Sequence, residues 1–347
     1  MKFFSSTRIN ANDDRVKWLS IRKHGLGGSD IAAVLGLSKF KSPVDVWADK
    51  TTDDVPTDDV PSEAAYWGIV QEDIVAKEFQ RRTGLKVQRV NYLLRSGDDG
   101  WQIANIDRAI INPEISGTVR VVGEGQANAL GRCLTTNWGL ECKTANAYYA
   151  DQWGGASQLG EIKAGKITSE HKIPIYYETQ VQWYMAVTGL EAFAVAVLIG
   201  GNDFRVYWVE RDDELIEGLT ARCRAFWVDH VLAKVPPEVT VAEDVKKLFP
   251  NDNGDMREAT NDESAYINQI AVLNQQIKEL EGKKGEYQDL LITSIKDAQG
   301  LTVNGEKVCT YKTQESTRFS STDFKKAYPD MYKQFSKTST TRVLRIS

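Results

Sequence analysis

The sequence predicts an α/β (α+β) fold, in which a mixed central sheet is flanked by helices and followed by a C-terminal helical extension. Three observations favour this class. The middle of the chain holds short segments rich in Val, Ile and aromatic residues, which are typical of strands. Amphipathic segments typical of helices precede and follow them. Beyond residue 266 the apolar residues recur at a heptad-like spacing, which indicates one long helix.

The composition limits the class of protein. The 347 residues are 41% hydrophobic and 26% charged, as in soluble globular proteins. No apolar run approaches the roughly 20 residues that cross a bilayer, and the first residues lack the apolar core of a signal peptide. The four cysteines form no CxxC pair. Their spacing argues against a zinc ribbon or an iron–sulfur cluster and indicates reduced thiols in a cytoplasmic protein.

The charge of the chain is unevenly distributed. The formal net charge is −5, but residues 300–347 contain nine Lys and Arg against four Asp and Glu. This segment therefore carries +5 and the remainder −10. Acidic residues are concentrated in 51–63 and 238–263. A nucleic-acid partner is compatible with this balance if a basic groove is local and metal ions offset the carboxylates.

The first part of the chain is predicted to be helical. A short helix over 14–24 leads into the glycine-rich turn GLGGSD, after which Asp30 is expected to cap another short helix. The acidic, proline-bearing stretch 52–61 is expected to be a surface loop.

Two further helices have clear end signals. Ser42 and Pro43 are the N-cap and first-turn residues that predict a helix over 42–51. A longer helix is predicted over 62–84, because Gly84 is the residue type expected at its end.

Strands dominate the next segment. Their shared richness in β-branched and aromatic residues predicts strands over 85–96, 101–111, 117–125 and 138–145. The GGND turn predicts a hairpin over 193–211. Helices are predicted over 174–189 and 212–233, one before and one after that hairpin. The core domain is predicted to end after the second of them and to span about residues 1–235.

The C-terminal part has a different character. An acidic linker is predicted over 236–262, followed by a domain over 263–347 that comprises a long helix and a basic tail. The heptad-like apolar positions are Tyr266, Ile270, Leu273, Ile277, Leu280, Tyr287 and Leu291. They predict a helix of about 30 residues, about 45 Å long. Its apolar seam could be covered by the core, a sister subunit or a partner protein.

Glu72 is the first candidate functional residue. In the predicted 62–84 helix it shares a face with four apolar residues, Ile69, Val75, Ala76 and Phe79. An inward carboxylate needs a cation or a buried hydrogen-bonding partner. The alternative is a glutamate at the helix edge that reaches outward to water.

Asp107 interrupts the strand-forming run WQIANIDRAII in a similar way. Aspartate is depleted in strand interiors, so its presence indicates a bulge, a strand end or a metal ligand. A turn-forming aspartate is the structural alternative.

Glu141 and Lys143 lie two residues apart in the predicted strand WGLECKTA. Side chains alternate along a strand, so these two share one face while Leu140 and Cys142 share the other. A surface salt bridge would also account for this pattern.

Together these residues form an arrangement typical of nucleases. Asp107 and Glu141 would hold a divalent metal ion, with the backbone carbonyl of Cys142 as a further oxygen ligand. Glu72 would complete that shell or a second one. Lys143 would orient or deprotonate the attacking water and offset phosphate charge.

Four separated stretches occur in the order found in one known family. They are RKHGLGGSDIAAVLGLSKFKSPVDVW, WGIVQEDIVAKEFQRRTG, GLECKTANAYYADQWG and IPIYYETQVQWYMAVTG. Over about residues 15–210 they resemble the YqaJ-like viral recombinase family, relatives of phage lambda exonuclease within the PD-(D/E)XK nucleases. The resemblance implies a restriction-endonuclease-like core.

The resemblance also implies roles for individual residues. The catalytic residues of the family fall on Glu72, Asp107, Glu141, Lys143 and Gln180. Gln180, the first glutamine of the Q-V-Q motif, would position the scissile phosphate or the water. The family's 5′-phosphate pocket uses an arginine seven residues before a serine, a spacing that Arg22 and Ser29 match.

The chain departs from the family around Asp107. Relatives usually read S-P-D-G there, whereas this chain reads Asn105-Ile106-Asp107-Arg108. The sequence does not explain Arg108, nor the purpose of residues 112–137, which look like an insertion.

The expected function is a Mg²⁺-dependent DNA exonuclease, with Mn²⁺ as an alternative ion. It would degrade one strand of linear duplex DNA from a 5′ end and expose a 3′ single strand for phage-type homologous recombination. The resemblance implies double-stranded DNA ends as substrate, a homo-oligomeric ring and a single-strand annealing protein as partner. It also implies a phage or prophage origin and the cytoplasm of a bacterial host. The alternatives are an endonuclease on the same core and a non-catalytic DNA-end-binding scaffold protein.

Overall fold

A computed structural model of the chain describes residues 3–8, 15–52, 62–96, 100–111, 118–123, 133–135, 137–165 and 172–346. The chain divides into two compact units, Met1–Asp244 and Val245–Ser347. Most of the predicted loop 52–61 lies outside the described residues, as does the predicted insertion 112–137 apart from two short strands and residue 137. Among the described helices, none is long and apolar enough to cross a membrane.

The described helices, numbered in chain order, are α1 (Arg15–Arg22), α2 (Gly28–Val34), α3 (Pro43–Thr51), α4 (Glu63–Thr83), α5 (Leu159–Ala164), α6 (Ile175–Thr188), α7 (Asp213–Phe226), α8 (Ala242–Leu248), α9 (Asn261–Ile295), α10 (Ser321–Ala327) and α11 (Pro329–Phe335). A 3-10 helix, Ala147–Gln152, follows the strand that carries Glu141, and a π-helical turn, Trp227–Leu232, follows α7. The helix predicted over 212–233 is thus regular only as far as Phe226.

The described strands are β1 (Phe3–Arg8), β2 (Lys86–Arg89), β3 (Tyr92–Ser96), β4 (Ile103–Ala104), β5 (Arg108–Ile111), β6 (Thr118–Gly123), β7 (Cys133–Thr135), β8 (Trp138–Ala145), β9 (Ala192–Ile199), β10 (Asp203–Glu210), β11 (Gly300–Val303) and β12 (Glu306–Thr310). The segments 85–96 and 101–111, each predicted as one strand, are each two strands. Asp107 lies in the bend between β4 and β5.

A mixed five-stranded sheet with the order β10-β9-β8-β5-β2 is central to the first unit. β8 and β9 are parallel, while the other neighbouring pairs are antiparallel. Leu140 of β8 packs with Val75 and Phe79 of α4, and α6 supplies Val181 and Trp183 to a second buried cluster. The predicted α/β class, with a mixed sheet flanked by helices, is confirmed, and β8 is its middle strand. A second sheet has the order β4-β3-β1-β6-β7.

The ends of the helices follow local chemistry, with one correction. Ser42 caps α3, with Pro43 in its first turn, and Gly84 ends α4 at a φ of 75°, as predicted. Asp30 is not the N-cap of α2, since that position belongs to Gly27. The Asp30 carboxylate lies in the first turn and accepts a hydrogen bond from the Gly27 N–H at 3.0 Å. Asp30 therefore stabilises the start of α2 from within its first turn, by accepting the backbone N–H of the N-cap residue.

The longest element of the second unit is α9, which is 35 residues long. The sequence predicts this helix but underestimates its length. Ile295 is its one buried residue, and the heptad-like apolar positions are all exposed. The predicted basic tail contains regular structure, because β11 and β12 form a hairpin around Asn304-Gly305, whose φ angles are 53° and 83°. Two short helices, α10 and α11, follow.

Candidate active site

The site lies where β5 and β8 separate. Their ladder pairs Ile110 with Trp138 and Arg108 with Leu140, and it ends there. The next pair would be Asp107 with Glu141, but at this point the chain bends. In place of a backbone ladder bond, the Asp107 carboxylate accepts a hydrogen bond from the Cys142 backbone N–H at 2.9 Å. The bend thus brings the Asp107 carboxylate beside the second half of β8, where Glu141 lies.

Glu141 is buried and has one oxygen bound and the other free. Its Oε1 is 2.7 Å from Lys143 Nζ and accepts a hydrogen bond from Gln180 Nε2, also at 2.7 Å. Its Oε2 is buried without a hydrogen-bond partner in the described part of the chain. An unpaired buried carboxylate oxygen is costly unless a ligand completes its coordination. Lys143 and Gln180 therefore orient Glu141 and leave Oε2 available.

The two carboxylates have perturbed acidity. Burial raises the pKa of Asp107 well above its usual range, and the charges of Glu141 and Glu72 add to this. Burial also raises the pKa of Glu141, although Lys143 opposes the change. Two neighbouring carboxylates with little access to water resist ionising at the same time. A bound cation would relieve both effects, so the pair favours cation binding.

Lys143 is a half-buried cation. Burial alone would lower its pKa, but the charges of Glu141, Tyr177 and Asp107 outweigh that effect and raise it. Its Nζ also lies 4.7 Å from the centre of the Tyr177 ring. A lysine in this environment holds its proton firmly. It is therefore better suited to offset phosphate charge and to orient the attacking water than to remove a proton from that water.

Glu72 is paired with arginines. Its Oε1 accepts hydrogen bonds from Arg108 Nη1 at 2.5 Å and from Arg89 Nη2 at 3.2 Å. Arg108 is 4% exposed, its other Nη donates to Asp73, and Nη1 also donates to the Asp107 carbonyl. Arg108, which the sequence left unexplained, is therefore the cation that an inward Glu72 requires.

The position of Glu72 differs in part from the prediction. Val75, Ala76 and Phe79 are buried, but Ile69 is 42% exposed, so the predicted apolar face does not extend to that end. The Glu72 side chain is 20% exposed. Its bonded partners in this arrangement are guanidinium groups, and its role as a metal ligand stays a prediction.

The donor set fits one hard cation. In the described ranges, no three His, Cys, Asp or Glu side chains converge as a metal cluster. Mg²⁺, however, keeps several waters and is usually held by one or two carboxylates. Asp107 and Glu141, with the free Oε2 of Glu141, meet that requirement.

The two residues of the expected 5′-phosphate pocket lie in contact. Arg22 Nη2 donates a hydrogen bond to Ser29 Oγ at 2.9 Å, and the guanidinium lies 4.4 Å from the centre of the Trp18 ring. Ser29 is exposed and Arg22 is half-buried. Trp18 thus restricts the orientation of a guanidinium that keeps access to solvent.

A buried ion pair supports this pocket. Lys50 Nζ lies 3.0 Å from Asp30 Oδ2, with both side chains almost fully buried, and it donates to the Arg22 carbonyl at 3.2 Å. Burial would raise the pKa of Asp30, but Lys50, Arg22 and the Gly27 N–H together lower it. Lys50 therefore joins α3 to the end of α1. No sequence pattern indicates this role, because an isolated Lys in a helix carries no signal of burial.

Gly28 connects the pocket to the carboxylates. A Cβ at Gly28 would lie 2.5 Å from Cε1 of Tyr184 and 2.9 Å from Cγ of Gln180. Only glycine lets α2 approach α6 this closely. Gln180 Nε2 in turn donates to the Tyr184 hydroxyl at 2.7 Å as well as to Glu141. The helix that carries Ser29 thus packs directly on the residue that holds Glu141.

The chain is similar to known proteins in sequence and in structure. A family model described as the YqaJ-like viral recombinase domain matches residues 17–191. The chain is 34% identical over 335 residues to the uncharacterized protein YqaJ of Bacillus subtilis (strain 168), covering 94% of this chain and 92% of that protein.

Among solved structures, the chain is similar to an alkaline exonuclease, LHK-Exo, from Laribacter hongkongensis. It is 18% identical with a TM-score of 0.42, over 63% of this chain and 93% of that one. A phage-related exonuclease from Haemophilus somnus 129PT is 14% identical with a TM-score of 0.35, over 60% and 96% of the two chains.

Proposed function

The chain belongs to the YqaJ-like viral recombinase family, and from that premise we propose that it is a divalent-metal-dependent DNA exonuclease of the PD-(D/E)XK type. Its substrate is the end of linear double-stranded DNA, from which it removes one strand in the 5′-to-3′ direction. The product is a 3′ single strand for phage-type homologous recombination. Mg²⁺ is the proposed ion, and Mn²⁺ the alternative.

One observation carries this proposal. Glu141 keeps one carboxylate oxygen on Lys143 and Gln180, while its other oxygen is buried without a partner among the described residues, in the neighbourhood of Asp107. A structural salt bridge would not require a second, half-buried carboxylate beside it. The combination supports a site that takes up a cation next to a fixed lysine, as phosphodiester hydrolysis requires.

The residues divide the chemistry among them. Asp107, Glu141 and the Cys142 carbonyl would hold the ion, which lowers the pKa of a bound water and offsets phosphate charge. Lys143 presents a positive charge to the phosphate and orients the water. Gln180 holds Glu141 through Oε1, so its contribution is to position that carboxylate. Arg22 and Ser29 provide donors for a terminal 5′-phosphate.

The proposal extends to partners. We propose that the protein acts as a homo-oligomeric ring and passes the exposed 3′ strand to a single-strand annealing protein. The basic segment 300–347 would contact the DNA backbone independently of base sequence.

The test is hydrolysis of end-labelled linear duplex with Mg²⁺ and with EDTA, beside intact circular duplex of the same sequence. The exonuclease releases mononucleotides from the linear substrate only when Mg²⁺ is present, and it leaves the circle intact. Cleavage of the circle would identify an endonuclease. Binding of ends without any hydrolysis would identify the non-catalytic scaffold.

A further inference from the structure

Several aromatic side chains in the first unit are exposed to water beside the site. Phe40 is 75% exposed, Tyr148 is 90% exposed and Tyr149 is 54% exposed. Large aromatic groups usually gain stability by burial, so a group of them in water indicates a binding surface. We call Phe40, Tyr148, Tyr149 and Tyr176 the aromatic ledge.

Ring contacts connect the ledge to the site. The ring centres of Phe40 and Tyr176 are 5.8 Å apart in an edge-to-face arrangement. Those of Tyr176 and Tyr177 are 4.5 Å apart, and Lys143 Nζ lies 4.7 Å from the Tyr177 ring. A continuous row of rings therefore runs from solvent to the lysine of the proposed active site.

The 3-10 helix after β8 supplies the other side of the ledge. Asn146 caps it by accepting the Tyr148 N–H at 3.0 Å, and the Tyr176 hydroxyl donates to Gln152 Oε1 at 3.3 Å. Burial and the nearby phenols of Tyr177 and Tyr149 raise the pKa of Tyr176. Tyr148 and Tyr149 thus lie on a short helix that Gln152 ties to Tyr176.

Positive charge borders the ledge. Phe40 lies between Lys39 and Lys41 in the loop from α2 to α3, and both lysines are exposed. Lys41 is close enough to Asp30 to contribute to the lowering of its pKa, as Lys50 and Arg22 do more strongly. The ledge therefore reaches Lys143 through Tyr176 and Tyr177, and its Phe40 follows the helix that carries Ser29. Alternating aromatic and basic residues are typical of proteins that bind single-stranded nucleic acid.

We propose that the aromatic ledge is a binding site for unpaired nucleotides, whose bases stack on Phe40 and Tyr148 while Lys39 and Lys41 contact the phosphates. The inference rests on the proposed function, since it locates the strand that enters or leaves the nuclease site. Its occupant is single-stranded DNA, because the row of rings is continuous with the lysine that would meet the scissile phosphate.

The experiment separates stacking from charge. The full-length protein in EDTA is titrated with a fluorescent single-stranded oligothymidylate and with an abasic strand of the same length and charge. Phe40→Ala and Tyr148→Ala should each weaken binding of oligothymidylate at least about fivefold, the lower end of the range for base–aromatic stacking. Binding of the abasic strand should be unchanged. Phe40→Trp should retain affinity, whereas Phe40→Leu, which stays apolar, should not.

Leu232→Ala is the matched control, since Leu232 is an exposed apolar residue outside the ledge. Equal affinity of wild type, Phe40→Ala and Tyr148→Ala for oligothymidylate would overturn the proposal, as would equal losses on both strands. Hydrolysis of linear duplex by the wild type is measured in parallel. If the wild type hydrolyses DNA but the ledge variants bind normally, the ledge proposal alone fails. If the wild type hydrolyses no DNA, the proposed function fails.

Discussion

Asp107 accepts the backbone N–H of Cys142 at 2.9 Å, at the point where β5 stops pairing with β8. This bond does two things. It satisfies a donor that the end of the ladder would leave unpaired, and it brings the Asp107 carboxylate to the second half of β8. The site therefore arises from a local failure of strand pairing. The residue after Asp107, Arg108, pairs with Glu72 and Asp73 on α4.

Arg108 is expected to stabilise the junction between β5 and α4. Arg108→Lys removes the fork that reaches Glu72 and Asp73 at once, because a single ammonium group does not reproduce the paired donors of a guanidinium. We expect the free energy of unfolding to fall by about 1–3 kcal/mol, measured by urea denaturation. Arg89→Lys is the control, because Arg89 binds the same Glu72 from a more exposed position. An equal loss in both variants would contradict this account.

Asp30 is expected to be essential to stability around the phosphate pocket. Asp30→Asn removes the buried carboxylate that pairs with Lys50 and leaves only the more exposed Asp49, 3.2 Å from Lys50 Nζ, as its counter-charge. Removing one partner of a buried pair typically costs about 3–5 kcal/mol. Thermal and urea unfolding measure the change, and Asp213→Asn, in an exposed pair with Arg211, should have little effect. The pKa of Asp30 is lowered in the folded state. Its contribution is therefore present above about pH 4, the usual value for aspartate, and is lost as the pH falls through the folded pKa.

Arg22 is expected to read the terminal phosphate. If it forms charge-assisted hydrogen bonds there, Arg22→Ala should weaken the preference for 5′-phosphorylated over 5′-hydroxyl duplex ends. Initial rates on the two substrates measure this preference. A loss of equal size on both kinds of end would argue that Arg22 serves the fold or general DNA binding instead.

The first unit is expected to fold without α9. A fragment ending near residue 260 retains all of Met1–Asp244, one of the two compact units. It should melt cooperatively and hydrolyse short oligonucleotides, but it should bind long duplex more weakly or lose self-association or partner binding, because α9 and the basic tail are absent. Circular dichroism with thermal melting measures the folding. An insoluble or molten fragment would show that 261–347 is an integral layer.

Local signals in the sequence account for much of the fold. Three features were predictable, because each depends on residues adjacent in the chain. They are the end of α4 at Gly84, the cap of α3 at Ser42 and the β9–β10 hairpin. The β11–β12 hairpin, which was not predicted, also carries such a signal in Asn304-Gly305.

Other features depend on residues far apart in the sequence. The pairing of Glu72 with Arg108 and the burial of Lys50 against Asp30 each join separate elements, so no local pattern reveals them. The alternation of β8 predicted that Glu141 and Lys143 share a face. It could not predict that Gln180 would hold the same carboxylate oxygen as Lys143.

The three residues at the separation of β5 and β8 carry the central claim, so their removal tests it most directly. Asp107→Ala, Glu141→Gln and Lys143→Ala are purified beside wild type, and their folding is checked by circular dichroism. Each is then assayed on 5′-phosphorylated, end-labelled linear duplex with Mg²⁺. We expect Mg²⁺-dependent release of nucleotides by the wild type and none by any folded variant, because ion binding and orientation of the water are both required. Near-wild-type hydrolysis by any one of the three would contradict this assignment of the site.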